Sequence, residues 1–466
     1  MDRTVRRSLQ TGGLALAACL LAACSGGSDS SSGAGARQAG ASVPLVTKAE
    51  TTTDASRFLT QATYGPTGAE IDRVMAADFD GWLEQEFAKP YSQTHLGYWR
   101  ERIAAQPGGG NTEWLYYSFW RNALSADDPL RQRVAFALSQ IFVVSLNDMN
   151  VSQYPRGVAS YFDTLGSHAF GNFRDLIEAV SLHPMMGLYL SHLRNRGDDG
   201  RVPDENYGRE VMQLFTIGLH ELNPDGTPKT DADGKTIDTY GNDDVTGIAR
   251  VFTGFSWAGP DRSDNRFNGG GSPSFPDRDI TPMQAYPQFH SDQPKTFLGI
   301  TCPGGVMPNV SLKCALDRLF THPNTGPFFA RQLIQRLVTS NPSPAYVGRV
   351  AAAFADNGDG VRGDLKAVLR ALLLDPEARF APAAGDAVYG KPREPLLRMT
   401  ALLRAVGASS RSGQFRVGNT DDPVNSLGQT AMRSPSVFNY WRPGYTPPNS
   451  ELAAQGLDAP ELQAAN

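Results

Sequence analysis

The stretch DPLRQRVAFALSQIFVVS, residues 128–145, decides the fold class. Asp128 supplies a cap and Pro129 sits at the first helical position, where its missing N–H costs nothing. The apolar run that follows carries helical spacing. Working outward, the same grammar recurs. Asp54 heads RFLTQAT, and Thr67-Gly68-Ala69-Glu70 forms a capping box before IDRVMAA. NFRDLIEAVSLHP and ENYGREVMQLFTIG follow, the second stopped by Gly218. Asp244 opens VTGIARVFTGF, and GPFFARQLIQRLV, YVGRVAAAFADNG, GDLKAVLRALLL and REPLLRMTALLRAVG complete the set. Two stretches break the pattern. ELNPDGTPKTDADGKTIDTYG alternates and carries two Asp-Gly turns, which predicts a β-hairpin near 220–242. Residues 258–295 are rich in Gly, Pro and Asp and predict a long surface loop. No repeat at a fixed period is present. The reading is mainly α: one large multi-helix domain over 44–466, with 258–300 as the place where it would divide into two.

The chain has 466 residues, 40% hydrophobic and 20% charged, which excludes fibrous, disulfide-miniprotein and wholly disordered classes. A net charge of −5 gives no electrostatic case for nucleic acid. Arg3, Arg6 and Arg7 precede a short apolar run, Gly12 to Leu20, too short to span a bilayer and suited to a signal peptide over residues 1–23. Arg6-Arg7-Ser8-Leu9 also faintly resembles a twin-arginine signal. Leu21-Ala22-Ala23-Cys24 resembles a bacterial lipobox, which implies lipidation of Cys24; an ordinary secretory signal with an incidental cysteine is the alternative. Several acyl chains anchor a protein to a membrane where one does so marginally. Ser25 resembles the pattern of lipoproteins sent to the outer membrane. Residues 24–43, Gly/Ser/Ala-rich, read as a tether reaching about 25 Å. In an oxidising compartment, Cys302 and Cys314 are most simply a disulfide closing a Pro/Gly loop, worth roughly 3 kcal/mol. A zinc site is the rival, but no second CxxC and no histidine at ligand spacing accompanies them.

RFLTQATYGPT, RQRVAFALSQIFVVS, HPMMGLYL, PDENYGREVMQLFTIG, DDVTGIARVFTGFSW, FH…KTFLG and SVFNYWRPGYTPPNSELA occur in that order. With them the chain resembles the domain-of-unknown-function 1800 family of large exported bacterial proteins, from about Ala55 to Glu461. The resemblance implies no reaction, because the family has no established activity. Members are often encoded beside a second exported family, which implies an exported protein partner. Members usually continue with further helices after ELAAQGLDAPELQ, so the resemblance implies a chain that is truncated or lacks its last core helices.

GxSxG, HExxH, GxxxxGK[ST], a strand-led GxGxxG and CxxCH are absent, and no cofactor-binding motif remains. ADNGDGVRGDLK places Ala355 and Lys366 where a calcium loop needs ligands, so it reads as a turn. What remains is a polar cluster: His183, His192, Glu205, Asn206, Glu210, His220, Asp243, Asp244 and His290. On a helix from 205 to 217, Asn206, Glu210 and Gln213 share one face, and Glu205 pairs with Arg209. Carboxylates beside imidazoles serve a general acid–base pair, with Glu205, Glu210, His183 and His290 as candidates. They also serve a divalent metal, with His183, Glu210, His220 and His290 as candidates. The bland alternative is a solvated helix face above a buried Arg–Glu network, with His183 ending one helix and His322 starting another. Trp99, Trp114, Tyr116, Tyr117, Trp120, Trp257, Tyr440, Trp441 and Tyr445 form an aromatic set, read mainly as core and otherwise as sugar-stacking rings. Two function classes follow: an outer-membrane binding or assembly lipoprotein for an exported partner or envelope polymer, and a metal- or carboxylate-dependent hydrolase of an extracellular polymer.

Overall fold

In a computed structural model the residues described are 43–465, apart from 198–199, 383–385 and 387. Residues 1–42, with the predicted signal, Cys24 and nearly all of the tether, lie outside them. The described residues belong to one contact unit and are mainly helical. None of their helices is long and apolar enough to cross a membrane.

The quoted stretch forms the central helix, Pro129–Ser139, all of whose residues are buried. Such a helix sits in the middle of a large core rather than on its surface. It differs from the reading in two respects. Asp128 occupies the cap position without capping, because its carboxylate accepts from Gln132 Nε2 at 3.1 Å and stands 3.5 Å from Arg131. The helix also stops at Ser139, and Ile141 to Val144 run on as buried irregular chain. Four consecutive large apolar residues have no polar side to offer solvent, so they insert into the core in a different direction.

Around this helix pack Thr52–Ala62, Gly68–Ala88, Glu113–Ser125, Pro155–His168 and Thr325–Leu337. Thr51, not Asp54, caps the first of them; Asp54 is the reciprocal partner three residues in, completing a capping box. Thr67 caps the second through the Glu70 amide at 3.2 Å, while the Glu70 carboxylate is drawn instead to Arg73 and Trp82. Phe173–Leu182, Pro308–Thr321, Pro344–Ala355 and Leu365–Leu373 extend the same core.

The predicted helix over 205–217 is two kinds of helix. Asn206–Glu210 is α, and Val211–Thr216 is a π turn that ends at Gly218, whose φ of 72° admits glycine readily. Gln213, on the π turn, accepts from the Tyr240 hydroxyl at 3.4 Å, and Glu210 acts on the same tyrosine. The stretch after Gly218 holds two hairpins, not one, built on turns at Asp225-Gly226 and Asp233-Gly234. Its three short strands close on each other. The amides of Glu221, Ile237 and Lys229 donate in a ring, to Ile237, Lys229 and Glu221 carbonyls at 2.8, 3.1 and 2.7 Å. The buried Asn324 side chain docks this ribbon, donating to the Ile217 and His220 carbonyls and accepting from the Leu222 amide.

Residues 258–295 are mostly irregular but carry a small core of their own, Phe267, Tyr286 and Phe289. The segment leaves the body at Phe255–Ser256 and returns at Gln284–Ala285, which pair antiparallel. Next, Lys295–Phe297 pairs with Ile300–Cys302 across a tight turn at Leu298-Gly299. The hairpin lies against helix Asn242–Val251 so closely that Gly247 leaves no room for a side chain beside Thr296. Cys302 and Cys314 are joined, tying this hairpin to helix Pro308–Thr321. The last stretch, 406–465, has little regular structure yet is bonded to the body throughout, as by Leu146 N–H to the Met432 carbonyl at 2.9 Å.

Candidate functional site

The histidines of the sequence cluster serve separate local tasks. His183 ends helix Phe173–Leu182 and caps Pro184–Tyr189, its Nδ1 accepting from the Met185 amide at 3.2 Å. Its ring meets Tyr161 edge-on, and burial pulls its pKa down to about 3. His192 stacks on Tyr207 with centroids 3.9 Å apart and donates from Nε2 to the Ser181 carbonyl at 2.9 Å. Burial lowers its pKa to about 4, so both rings are neutral at pH 7. His290 donates from Nδ1 to the Thr253 carbonyl at 2.8 Å, which leaves Nε2 to accept from the Ser311 hydroxyl at 2.9 Å. His220 is on the ribbon, exposed, and 3.2 Å from Asp238. Among the described residues no three His, Cys, Asp or Glu side chains form a group able to hold a metal ion. The structure therefore does not bring His183, Glu210, His220 and His290 together as a metal set. His322 follows helix Pro308–Thr321 and accepts from the Asn324 amide ahead of the next one.

The carboxylates divide in the same way. Glu205 accepts from Thr246 Oγ1 at 2.9 Å and stands 3.6 Å from Arg209, the predicted pairing. Asp244 caps its helix through the Gly241 amide and accepts from Leu298 N–H at 2.6 Å, clamping the hairpin to the helix. Asp243 is exposed. Glu210 is different. It stands where α gives way to π, its Oε2 is buried without a hydrogen-bond partner, and burial raises its pKa, with Arg209 opposing. It acts electrostatically on Tyr189 and Tyr240, and the same Tyr189 feels Asp148 more strongly.

Beyond Tyr189 the surface opens into a recess of about 230 Å³, lined by Tyr154, Leu188, Trp257 and Gly269, with Asn150, Gln153, Arg194, Asn268 and Arg278 supplying its polar groups. Three parts of the chain build it: the short turn at Asn150–Tyr154, the 184–194 turn, and the excursion between Trp257 and Arg278. Trp257 is buried, held between Tyr154, 5.4 Å between ring centroids, and the Arg278 guanidinium, 4.8 Å from its ring. Arg278 is fixed by the Gly269 carbonyl and the Tyr154 hydroxyl. Arg194 is exposed at the rim, and Arg196 reaches Asn268 Oδ1 at 2.6 Å while covering Phe267 and Phe289. Two guanidiniums, Arg194 and Arg278, thus line one aromatic-floored recess, and a third, Arg196, is bonded to the lining Asn268, on a chain whose net charge is −5. The Asp148 carboxylate, which acts on Tyr189, is taken by the amides of Asn150 and Val151. Trp257 was legible as a ring beside a Gly/Pro loop; Arg194 and Arg278 carry no sequence signal.

A family model described as "Protein of unknown function (DUF1800)" matches residues 57–464. The chain belongs to this family. No curated protein and no solved structure matches it. The DUF1800-type motifs meet less at the recess than in the core. Arg133 comes from the central helix, Gln140 caps its C-terminus, and Trp441 comes from SVFNYWRPGY. Gln140, Gln429 and Trp441 all donate to the buried carboxylate of Glu394, at 2.9, 2.6 and 3.3 Å. The Arg336 guanidinium and the Lys391 ammonium lie over the Trp441 ring at 5.0 and 5.6 Å. Trp99, Trp114, Tyr116 and Trp120 are buried as well, so most of the aromatic set is core in this DUF1800 chain.

Proposed function

We propose that this chain is a binding protein of the bacterial envelope, anchored through Cys24, whose recess takes an anionic envelope polymer. The observation that supports it is the recess itself: a Tyr154–Trp257 floor, amide side chains and two lining arginines, Arg194 and Arg278, with Arg196 bonded to the lining Asn268. Aromatic floors bury the apolar faces of sugar rings, and guanidiniums bind carboxylate, sulfate or phosphate through paired N–H groups. Its volume suits one sugar residue of a chain at a time. The predicted signal, tether and outer-membrane address would place the recess where such polymers are, and an exported protein partner would occupy another face.

Affinity measurement against polysaccharides tests it. An acidic polysaccharide should bind and its neutral counterpart should not, with Arg194→Ala weakening binding about 10-fold or more, as expected for one charge-assisted contact. Equal binding of both polymers, or no effect of Arg194→Ala, would refute the reading. One observation favours a second reading, hydrolysis of an extracellular polymer. Glu210 keeps an unpartnered carboxylate oxygen and a raised pKa, as a general acid requires. Loss of polymer cleavage in Glu210→Gln with binding intact would support that role, and the absence of any cleavage by the unsubstituted chain would end it.

A further inference from the structure

The core beneath Trp441 holds more positive than negative charge. Arg133 and Arg336 are 0% and 3% exposed, and the Lys391 side chain is 4% exposed. Against these three cations stand two buried carboxylates, Glu394 and Glu461. Glu461 is taken by Lys391, which also donates to the Gln335 carbonyl at 2.7 Å. Glu394 accepts only from neutral donors, Gln140, Gln429 and Trp441, and makes no ion pair with Arg133 or Arg336. Two buried positive charges, Arg133 and Arg336, thus have no counter-charge in contact, and the one remaining carboxylate, Glu394, can balance only one of them across space.

The hydrogen bonds locate them. Arg133 Nη2 donates to the Arg336 carbonyl at 2.5 Å, which brings the two residues together, but Arg133 Nε and Nη1 have no acceptor. Arg336 spends its Nη atoms on the Gln332 and Gln140 carbonyls, and its Nε has none either. A buried N–H without an acceptor is costly, and a buried unpaired charge is costlier. A water molecule would answer the first need and not the second. Gln140, whose carbonyl Arg336 reaches, also lines a cavity of only about 10 Å³ with Gln429 and Asn439, so phosphate and sulfate find no room there.

We propose that the core binds a halide-sized monovalent anion, chloride under ordinary conditions, on the free N–H groups of Arg133 and Arg336. The anion is a structural part of the fold, independent of any ligand in the recess.

The test is the melting temperature of the full chain in sodium chloride and in sodium gluconate at matched ionic strength. Chloride should raise it with a saturating dose dependence, by roughly 3 °C at a hundredfold excess over the dissociation constant. Arg133→Met should remove that dependence, while Arg331→Met, at the surface, should keep it. Should Arg133→Met fail to fold, bromide anomalous scattering from crystals of the unsubstituted chain decides the question. A bromide peak between Arg133 and Arg336 upholds the proposal. Peaks confined to surface arginines, an adventitious ion only, overturn it. Equal melting in the two salts, or a chloride response retained in Arg133→Met, does the same.

Discussion

Truncating Trp441 tests whether the irregular C-terminal stretch is a structural member of the core. The ring is 1% exposed and lies under Arg336 and Lys391, with its N–H on Glu394. Removing a buried aromatic costs about 3–5 kcal/mol in transfer and cavity terms. Two cation–π contacts add about 1–2 kcal/mol. The lost hydrogen bond adds only about 1 kcal/mol, because Glu394 keeps Gln140 and Gln429. These contributions overlap, so Trp441→Ala should lose about 4–6 kcal/mol, a large share of the about 5–15 kcal/mol that holds a domain folded. Trp441→Phe keeps most of the burial and should lose about 1–2 kcal/mol. Guanidinium chloride unfolding, followed by far-ultraviolet circular dichroism, measures both. A loss under about 1 kcal/mol for Trp441→Ala would show that residues 429–465 contribute little to the core. Equal losses for the two variants would refute the assigned role of ring burial.

Two further outcomes follow from geometry already described. His183, with its folded pKa pulled below 6.5 by burial, binds its proton more readily in the unfolded chain, so its contribution is intact above pH 6.5 and is lost as pH falls toward about 3. The loss should run at up to about 1.4 kcal/mol per pH unit, and His183→Asn should flatten the stability profile between pH 6.5 and 4 relative to the unsubstituted chain. The comparison of the two profiles isolates this residue, since Asp128 and Asp163, pushed up to about 6 by burial, act with the opposite sign. Gly247→Ala would set a methyl carbon 1.8 Å from the Thr296 carbonyl oxygen, so the hairpin must move off the helix. Thermal melts should show a loss of at least about 1–3 kcal/mol, and an unchanged melt would contradict the close approach.

Helices were legible because their apolar spacing and terminal residues are local properties. Gly218, the two Asp-Gly turns and the Cys302–Cys314 bond were legible for the same reason. The π turn at Val211–Thr216 was not, because it keeps an apolar helical composition while changing the number of residues per turn. Nor was the burial of Arg133 and Arg336: in a sequence, arginine on a helix reads as a solvated face, and only the assembled core reveals the carbonyls that receive it. The polar cluster was legible as a list of chemically able residues, but proximity in sequence was mistaken for proximity of function. His183 caps a helix, His220 belongs to a ribbon, and His290 serves a loop. The recess depends on side chains scattered from Asn150 to Arg278, a spacing no local pattern encodes.

The ribbon after Gly218 begins and ends at one point, since Thr239 N–H reaches the Leu219 carbonyl at 2.9 Å. Its strands satisfy one another in a closed ring, so little of its backbone remains to recruit a foreign strand. Its outer tip at Asp233-Gly234 is exposed, and a side chain added at Gly234 would meet nothing. An epitope or reporter domain spliced there would ride outside the helices without disturbing the register of any of them.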